Sequence, residues 1–312
     1  MRDASAHSAG DERQRSLHPA VPIIPNPSDF VSQTLSASTN FLPRVYVFDM
    51  DGVLFRGNEV VPEAPGALAR LRARTPAPRV FFLTNNSWQP RTDYAAKLAR
   101  LGMPADPDEI VTSASATAMY LRGIHANETG RTAFVVGGSG IRDELTQAGI
   151  PVVSPDPDAH PDDTRADFVV CGIDRQFSYE TLWRAQQAIL HGALFVATNR
   201  DTTYPLEGGR VQPGGGAIVA AIVACTNTEP VVVGKPETHG LEAILRVVGA
   251  APHEAVMVGD RLDTDVLCGN RLGVPSVLVL TGVTSETEAR NATATAPEMR
   301  PDRVIHTLSE LD

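Results

Sequence analysis

Four groups of polar residues stand directly after apolar runs that have the length and composition of strands. They are Asp49-Met50-Asp51-Gly52, Thr84-Asn85-Asn86-Ser87, Gly234-Lys235-Pro236 and Gly259-Asp260-Arg261-Leu262-Asp263-Thr264-Asp265. Open parallel sheets bind ligands beyond the carboxyl ends of their strands. The spacing therefore predicts that the four groups converge on one site.

Two of these residues, Asp49 and Asp51, are carboxylates separated by a single position. Alternate residues of a strand point to one face, and carboxylates so close repel each other unless a cation or a shared proton lies between them. The pair indicates a carboxylate nucleophile with an acid/base partner beside a metal ion. The alternative is a solvated turn, because Asp-x-Asp-Gly also suits turns.

Thr84, Asn85 and Asn86 offer a hydroxyl, two amides and backbone N–H groups, which are donors for a phosphate or another oxyanion. The alternative is a helix N-cap, where threonine and asparagine are favoured. The two roles are compatible, because helix N-termini also bind anions.

The 27 basic residues of the chain include only two lysines, Lys97 and Lys235. A compact ammonium group is physically distinct from the planar guanidinium that the chain uses elsewhere. Lys235 is therefore interpreted as a point charge between a carboxylate and a phosphoryl oxygen, rather than as an exposed loop residue. Lys97 is interpreted as a charge on the surface of a predicted helix.

The last group contains three carboxylates. Asp260 is a candidate ligand for a hard cation, because Mg²⁺ prefers oxygen ligands. Asp265 is predicted in the first turn of a helix, where the dipole favours carboxylates, and Asp263 is predicted to cap that helix. Together with Asp49 and Asp51, these residues leave an excess of negative charge that a divalent cation would neutralise, as phosphoryl transfer requires.

Apolar and amphipathic segments alternate along the chain, which indicates βαβ units and an α/β fold with a parallel sheet. Strands are predicted at 45–48, 80–83, 132–136, 168–173, 193–197, 231–233, 255–258 and 276–280. Helices are predicted at 64–74, 90–101, 113–122, 140–148, 178–191, 216–225, 238–248 and 263–271.

Composition excludes several classes of protein. The net charge of −10 over 312 residues argues against nucleic acid or an anionic membrane as the main partner. The three cysteines form no CxxC motif, which favours a reducing compartment. No apolar run approaches the roughly 18 residues of a membrane span, and the N-terminus has no apolar signal core. We therefore expect a cytoplasmic protein of about two domains.

The four motifs together resemble the haloacid dehalogenase superfamily. The likeness covers residues 44–285 and is strongest to the branch that contains nitrophenyl, phosphoglycolate and pyridoxal-phosphate phosphatases. It implies a Rossmann-like core with a large α/β cap domain inserted between the second and third motifs. The implied division is a disordered tail at 1–43, core at 44–125, cap at 126–229 and core at 230–312.

The resemblance also implies a role for each motif residue in a Mg²⁺-dependent phosphatase of small phosphorylated metabolites. Asp49 would be the nucleophile that forms an aspartyl phosphate, and Asp51 the general acid and base. The ligands of Mg²⁺ would be Asp49, the backbone carbonyl of Asp51, and Asp260, with Asp265 behind them. The residues that hold the phosphoryl group would be Thr84, Asn85, Asn86 and Lys235.

The cap departs from pyridoxal-phosphate phosphatases at Tyr204, where those relatives carry histidine, and this argues against pyridoxal phosphate as the substrate. Tyr204 either binds substrate or packs in its loop. A homodimer through the cap is a further implication of the resemblance. Two other functions stay open, namely a phosphoryl transferase on the same core and a non-catalytic protein that binds phosphorylated metabolites.

Overall fold

Two parallel sheets and two short antiparallel hairpins make up the strands of the computed structural model, which describes residues 42–126, 128–156, 158–205 and 210–311. The strands are β1 (Val45–Phe48), β2 (Phe55–Arg56), β3 (Glu59–Val60), β4 (Arg79–Thr84), β5 (Ile110–Thr112), β6 (Ala133–Val136), β7 (Val152–Val153), β8 (Phe168–Cys171), β9 (Leu194–Ala197), β10 (Thr203–Pro205), β11 (Val211–Pro213), β12 (Val231–Val232), β13 (Ala255–Gly259), β14 (Ser276–Val279) and β15 (Arg303–Ile305).

The helices alternate with these strands as βαβ units require. They are α1 (Ala64–Arg72), α2 (Arg91–Arg100), α3 (Ser113–Ile124), α4 (Ser139–Gln147), α5 (Tyr179–Leu190), α6 (Gly215–Thr226), α7 (His239–Val248), α8 (Leu267–Leu272) and α9 (Glu286–Thr295). None of the helices in the described ranges is long and apolar enough to cross a membrane.

The first sheet has the strand order β15-β14-β13-β1-β4-β5, and its strands are parallel. Helices cover both of its faces, so its strands are apolar on both sides. On one face Val47 packs in a cluster with Leu241 of α7. On the other face Phe48 packs in a cluster with Leu68 of α1. This double cover explains why the central strands are the most clearly predicted from sequence.

The second sheet has the order β12-β9-β8-β6-β7 and is also parallel. One face packs Val169 and Phe195 against Ile189 of α5 and Ile222 of α6. Its strands β6 to β9 lie within the predicted cap at 126–229, whereas β12 comes just after it, in the stretch predicted as core. The predicted domain boundaries themselves stay predictions.

Several elements differ from the sequence expectations. The hairpins β2–β3 and β10–β11, the short strands β5, β7 and β15, and α9 were not predicted. Asp263 does not cap a helix, because a π-helical turn at Leu262–Val266 precedes α8 and the side chain of Asp263 instead accepts hydrogen bonds from Arg261 at 2.8 and 3.1 Å. Ser178 caps α5 as predicted, accepting from the Thr181 N–H at 3.1 Å.

The predicted disordered tail lies outside the described residues, except for Leu42 and Pro43. The three cysteines, Cys171, Cys225 and Cys268, are free thiols.

Candidate active site

Three buried carboxylates form the centre of the site at the carboxyl ends of β1 and β13. Oxygen atoms of Asp49, Asp260 and Asp265 all lie within 4.8 Å of one another. The Asp49 N–H continues the ladder of the first sheet by donating to the Val258 carbonyl at 2.8 Å. Adjacent parallel strands thus bring two of the predicted motifs together.

Lys235 lies among these carboxylates and is only 4% exposed. Its Nζ donates to Oδ1 of Asp49 at 2.5 Å and to Oδ1 of Asp265 at 2.6 Å. A third hydrogen bond, to the Leu83 carbonyl, is 2.9 Å long. Burial alone would lower the pKa of Lys235, but the two carboxylates outweigh burial and raise the pKa above its ordinary value. The ammonium group therefore stays charged.

The lysine reaches the site from a different sheet than the sequence suggested. The strand before it, β12, is the edge strand of the second sheet and pairs with β9. The N–H of Gly234 donates to the Thr198 carbonyl at 2.8 Å, which holds the chain against β9 as it leaves that sheet. The four motifs meet at the facing ends of two sheets, rather than at one edge of a single sheet.

Asp265 has hydrogen bonds to both of its carboxylate oxygens. Oδ1 accepts from Lys235, and Oδ2 accepts from the backbone N–H groups of Asp260 and Arg261, each at 3.1 Å. These contacts fix the loop after β13, so Asp265 acts on the site by holding Asp260 and Lys235 in place.

Asp260 differs from Asp265 because, within the described ranges, only one of its two carboxylate oxygens accepts a hydrogen bond. Its Oδ2 accepts from the Val283 N–H at 2.7 Å. Its buried Oδ1 has no hydrogen-bond partner among the described residues. Burial, followed by the nearby Asp265 carboxylate, raises the pKa of Asp260 to about 7. An unpartnered carboxylate oxygen beside two other carboxylates is the donor set that a hard divalent cation fits.

Two glycines allow the backbone to approach Asp260. A Cβ at Gly52, which has φ +86°, would lie 2.3 Å from Oδ2 of Asp260, and a Cβ at Gly282 would lie 1.8 Å from the same atom. Both distances are far inside van der Waals contact, so these positions require glycine.

Asp51 lies beside Asp49 and lines the same cavity. Burial raises its pKa, while Lys97 and Lys235 lower it. Lys97 is half-buried, and its Nζ lies 3.5 Å from the centre of the Phe55 ring, on the side of α2 that faces the site. The interpretation of Lys97 as a surface charge is therefore wrong. Both lysines of the chain act on the carboxylates.

Burial also raises the pKa of Asp49 well above its usual range. Lys235 opposes this shift, whereas Asp265 and Asp260 add to it. One ammonium group thus contacts two of the three clustered carboxylates, which leaves the excess of negative charge that the sequence predicts.

The group after β4 lines the cavity opposite the carboxylates. The Asn85 Nδ2 donates to the Lys235 carbonyl at 2.9 Å and to the Asp201 carboxylate at 3.2 Å. The Thr84 hydroxyl accepts from the Asn86 N–H at 3.1 Å. The alternative of a helix N-cap is wrong, because the N-cap of α2 is Pro90.

Tyr204 stands on β10, in the hairpin above the site, and is half-buried. Burial raises the pKa of its phenol, Asp51 raises it further, and a hydrogen bond with Asn86 opposes the shift. The structure thus places Tyr204 in the lining of the cavity that contains the carboxylates.

Two cavities meet at Tyr204. The first, of about 70 Å³, is lined by all the predicted site residues: Asp49, Asp51, Thr84, Asn85, Asn86, Tyr204, Lys235, Asp260 and Asp265. The second, of about 590 Å³, shares Asn86, Ile173 and Tyr204 with the first. The small cavity has room for a phosphoryl group, and the large one for the rest of a small molecule.

Sequence reasoning missed Asp201 and Tyr94. Asp201 is half-buried in the cavity, where burial raises its pKa and Arg261 lowers it. Tyr94 is buried in α2 and has a hydroxyl without a hydrogen-bond partner in the described part of the chain. Asp201 follows β9 as the predicted residues follow their strands, so the same rule was able to find it. Tyr94 looks like an ordinary core residue of an amphipathic helix.

Comparisons with known proteins agree with this geometry. The model of a haloacid dehalogenase-like hydrolase family matches residues 46–151, and a related hydrolase model matches residues 232–311. Glycerol-3-phosphate phosphatase of Gallus gallus is 41% identical over 78% of this chain and 81% of its own. Acid sugar phosphatase of Staphylococcus saprophyticus is 35% identical over 78% of this chain and 89% of its own.

Solved structures have the same fold. A p-nitrophenyl phosphatase from Archaeoglobus fulgidus superposes with a TM-score of 0.76 at 31% identity, over 86% of this chain and 98% of its own. A glycerol phosphate phosphatase from Mycobacterium tuberculosis in complex with magnesium has a TM-score of 0.76 at 34% identity, over 86% and 76% of the two chains. The chain belongs to the haloacid dehalogenase-like hydrolases and is a phosphatase of that family.

Proposed function

We propose that this phosphatase hydrolyses small phosphate monoesters with Mg²⁺ and forms an aspartyl phosphate on Asp49. One observation carries the proposal. Lys235 holds Asp49 and Asp265 together beside the unpartnered Oδ1 of Asp260, at the wall of a cavity with room for a phosphoryl group. A buried nucleophile, a cation site and a fixed positive charge are the parts that phosphoryl transfer needs.

The proposed cation site consists of Asp49, the backbone carbonyl of Asp51, and Asp260. Mg²⁺ bound there would neutralise the clustered carboxylates and draw charge from the phosphoryl oxygens. Asp265 belongs to the support of this site, because both of its oxygens already accept hydrogen bonds.

The proposed reaction has two displacements at phosphorus. In the first, an oxygen of Asp49 forms a bond to phosphorus while the ester P–O bond breaks, and Asp51 gives its proton to the leaving oxygen. In the second, Asp51 takes a proton from water, the water oxygen bonds to phosphorus, and the bond to Asp49 breaks. Asp49 is regenerated and inorganic phosphate is released.

The remaining residues would hold the phosphoryl group during both steps. Lys235 provides a compact charge, and the Thr84, Asn85 and Asn86 segment provides hydrogen-bond donors. Donors placed in advance stabilise charge that develops on the equatorial oxygens, which is where phosphoryl transfer gains most of its rate.

The test compares Asp49→Asn with Asp263→Asn. Both changes remove one carboxylate, but Asp263 is exposed and pairs with Arg261 on the rim of the site. We expect Asp49→Asn to abolish phosphate release from p-nitrophenyl phosphate and to form no hydroxylamine-sensitive phosphoenzyme on rapid acid quench, whereas Asp263→Asn stays close to wild type. Full turnover in Asp49→Asn, or unchanged turnover in excess EDTA, would contradict the proposal.

The same assay separates the two alternatives. A phosphoryl transferase would need an added acceptor alcohol before the phosphoenzyme turns over. A non-catalytic protein would bind phosphate esters without forming a phosphoenzyme. The homodimer through the cap and the cytoplasmic location stay predictions.

A further inference from the structure

The side-chain amide of Asn85 is bound on two sides at the end of β4, and the residue is only 9% exposed. Its Nδ2 donates to the Lys235 carbonyl at 2.9 Å and lies 3.2 Å from each carboxylate oxygen of Asp201. An amide nitrogen carries two hydrogens, and these two acceptors use both of them. The side-chain nitrogen of Asn85 therefore has no hydrogen left for a phosphoryl oxygen, and its contacts lie within the protein.

The orientation of this amide depends on Asp201. Rotating an amide by half a turn exchanges its nitrogen and oxygen with almost no change of shape, so hydrogen bonds decide which orientation is stable. The Oδ1 of Asn85 is buried, and none of the described residues donates to it. The acceptors of Nδ2 therefore set the orientation. Of the two, the Asp201 carboxylate is the stronger, because hydrogen bonds to an ionised acceptor exceed those to a neutral carbonyl.

Asp201 reaches Asn85 from the second sheet, where it follows β9 and lines the cavity that contains the carboxylates. Its N–H donates to Oδ1 of Asn199 at 3.0 Å, and the Nδ2 of Asn199 donates to the Asn85 carbonyl at 2.7 Å. The Asp201 carbonyl accepts from the N–H of Gly216 in α6 at 2.9 Å. The backbone of Asp201 is thus fixed on both sides, and its carboxylate is held against the Asn85 amide.

Lys235 is the residue on which this amide acts. Asn85 binds its backbone carbonyl, while its side-chain Nζ contacts Asp49 and Asp265. Both ends of one residue are therefore bound inside a buried site. A shift of the backbone would move the ammonium group relative to the Asp49 oxygen, and small displacements of a reacting constellation have large effects on rate.

We propose that Asp201 is a positioning residue, which fixes the Asn85 amide so that Asn85 holds the Lys235 backbone and keeps the ammonium group on Asp49. The contact needs an acceptor oxygen at position 201, which asparagine also provides. This inference rests on the proposed function, because it concerns the charge beside the proposed nucleophile. It gives the second sheet a part in the chemical step that does not involve contact with the substrate.

The experiment removes or keeps the acceptor oxygen at position 201 in the full chain. Asp201→Ala and Asp201→Leu remove it with two different side-chain sizes, and Asp201→Asn keeps one oxygen without the charge. Asn85→Ala is made alone and combined with Asp201→Ala. The control is Glu229→Ala, because Glu229 is exposed and pairs with Arg200, the residue next to Asp201. Phosphate release from p-nitrophenyl phosphate with Mg²⁺ gives kcat and KM, and circular dichroism checks folding.

We expect Asp201→Ala and Asp201→Leu to lower kcat by about tenfold, the size of one hydrogen bond to a charged group. KM should change little, since Lys235 acts on charge that develops during the reaction. Asp201→Asn should stay within about threefold of wild type, because its oxygen still accepts from Asn85. Glu229→Ala should keep the wild-type kcat. In the double variant, Asp201→Ala should add no further loss to that of Asn85→Ala, because both changes break the same contact.

An unchanged kcat in the folded variants without the acceptor, or an equal loss in Asp201→Asn, would overturn the inference. Additive losses in the double variant, or a comparable loss in Glu229→Ala, would overturn it as well. All of these outcomes leave the proposed function intact, whereas a wild-type chain that releases no phosphate would contradict that function. The NMR signals of the Asn85 side-chain amide would then decide the inference alone. They should move in Asp201→Leu and stay in Glu229→Ala, and equal spectra of wild type and Asp201→Leu would overturn it.

Discussion

Lys235 and Asp49 are joined by a hydrogen bond of 2.5 Å, although the strands that lead to them belong to different sheets. β1 carries the aspartate to the end of the first sheet, and β12 carries the lysine to the end of the second. The ammonium group is buried and also bound to Asp265 at 2.6 Å. The charge that the proposed nucleophile needs is thus supplied across the junction of the two sheets.

Replacing Lys235 with arginine should lower turnover by about a hundredfold or more, comparable to the loss of a key transition-state donor. The buried space between two carboxylate oxygens and the Leu83 carbonyl fits an ammonium group, and a planar guanidinium is too large for it. Phosphate release under saturating Mg²⁺ is the measurement, with circular dichroism as the check on folding. Near-normal turnover in a folded Lys235→Arg protein would contradict this reasoning.

Removing divalent cations should make stability fall with pH. The pKa of Asp260 is raised from 3.8 to about 7, so the folded state holds a proton that the unfolded state releases between those values. Stability therefore decreases as pH rises from about 4 to about 7 and stays low above that range. Asp49 is shifted in the same direction.

The measurement is the Tm of the chain in EDTA across this pH range, with Asp260→Asn as the comparison. Asp260→Asn should flatten the slope and should be more stable than wild type near neutral pH, because it removes a buried charge. Added Mg²⁺ should raise the Tm of wild type far more than that of the variant. An equal response of both proteins to Mg²⁺ would show that Asp260 is not a ligand.

Lys97→Met should move the pH profile of turnover to higher pH. Lys97 lowers the pKa of Asp51, so its removal raises that pKa, and the proposed acid keeps its proton to a higher pH. The matched control is Arg100→Met, since Arg100 is an exposed basic residue on the same helix. A shift of equal size in both variants would mean that the effect is one of general charge rather than of Lys97.

Tyr94→Phe should raise the free energy of unfolding by about 1 kcal/mol, because it removes a buried hydroxyl that has no partner in the described chain. Urea unfolding of wild type and of Tyr94→Phe measures this gain. A loss of stability instead of a gain would show that the hydroxyl already has a protein partner.

Most of what could be predicted about the fold and the site came from the long apolar strands. β1, β4 and β13 are buried on both faces, so they appear in the sequence as continuous apolar runs, and the residues that follow them could be named as a site. Short strands such as β5 and β7 contain two or three residues and leave no comparable pattern. The fold class was predictable because it depends on the long runs.

Other parts of the site depend on tertiary packing that local sequence patterns do not encode. Lys235 could be singled out because lysine is rare in this chain. Nothing in the neighbouring sequence indicated that the strand before it, β12, belongs to the second sheet. Tyr94 has the spacing of a core residue in an amphipathic helix. Arg175 lies in a short segment after β8 whose composition is typical of a loop. Tyr94 comes within electrostatic reach of Asp51 only because α2 packs beside the end of β1 in the folded chain.

Three glycines extend the set of positions on which catalysis depends to residues that have no functional group. Gly52 and Gly282 lie so close to Asp260 that a Cβ at either position would overlap its carboxylate. A Cβ at Gly259 would lie 2.1 Å from the Cβ of Asp265. A random-mutagenesis screen for lost activity should therefore recover substitutions at these glycines about as often as at the aspartates. In a survey of natural variants, a change at any of the three would be a better sign of an inactive allele than most changes in the apolar core.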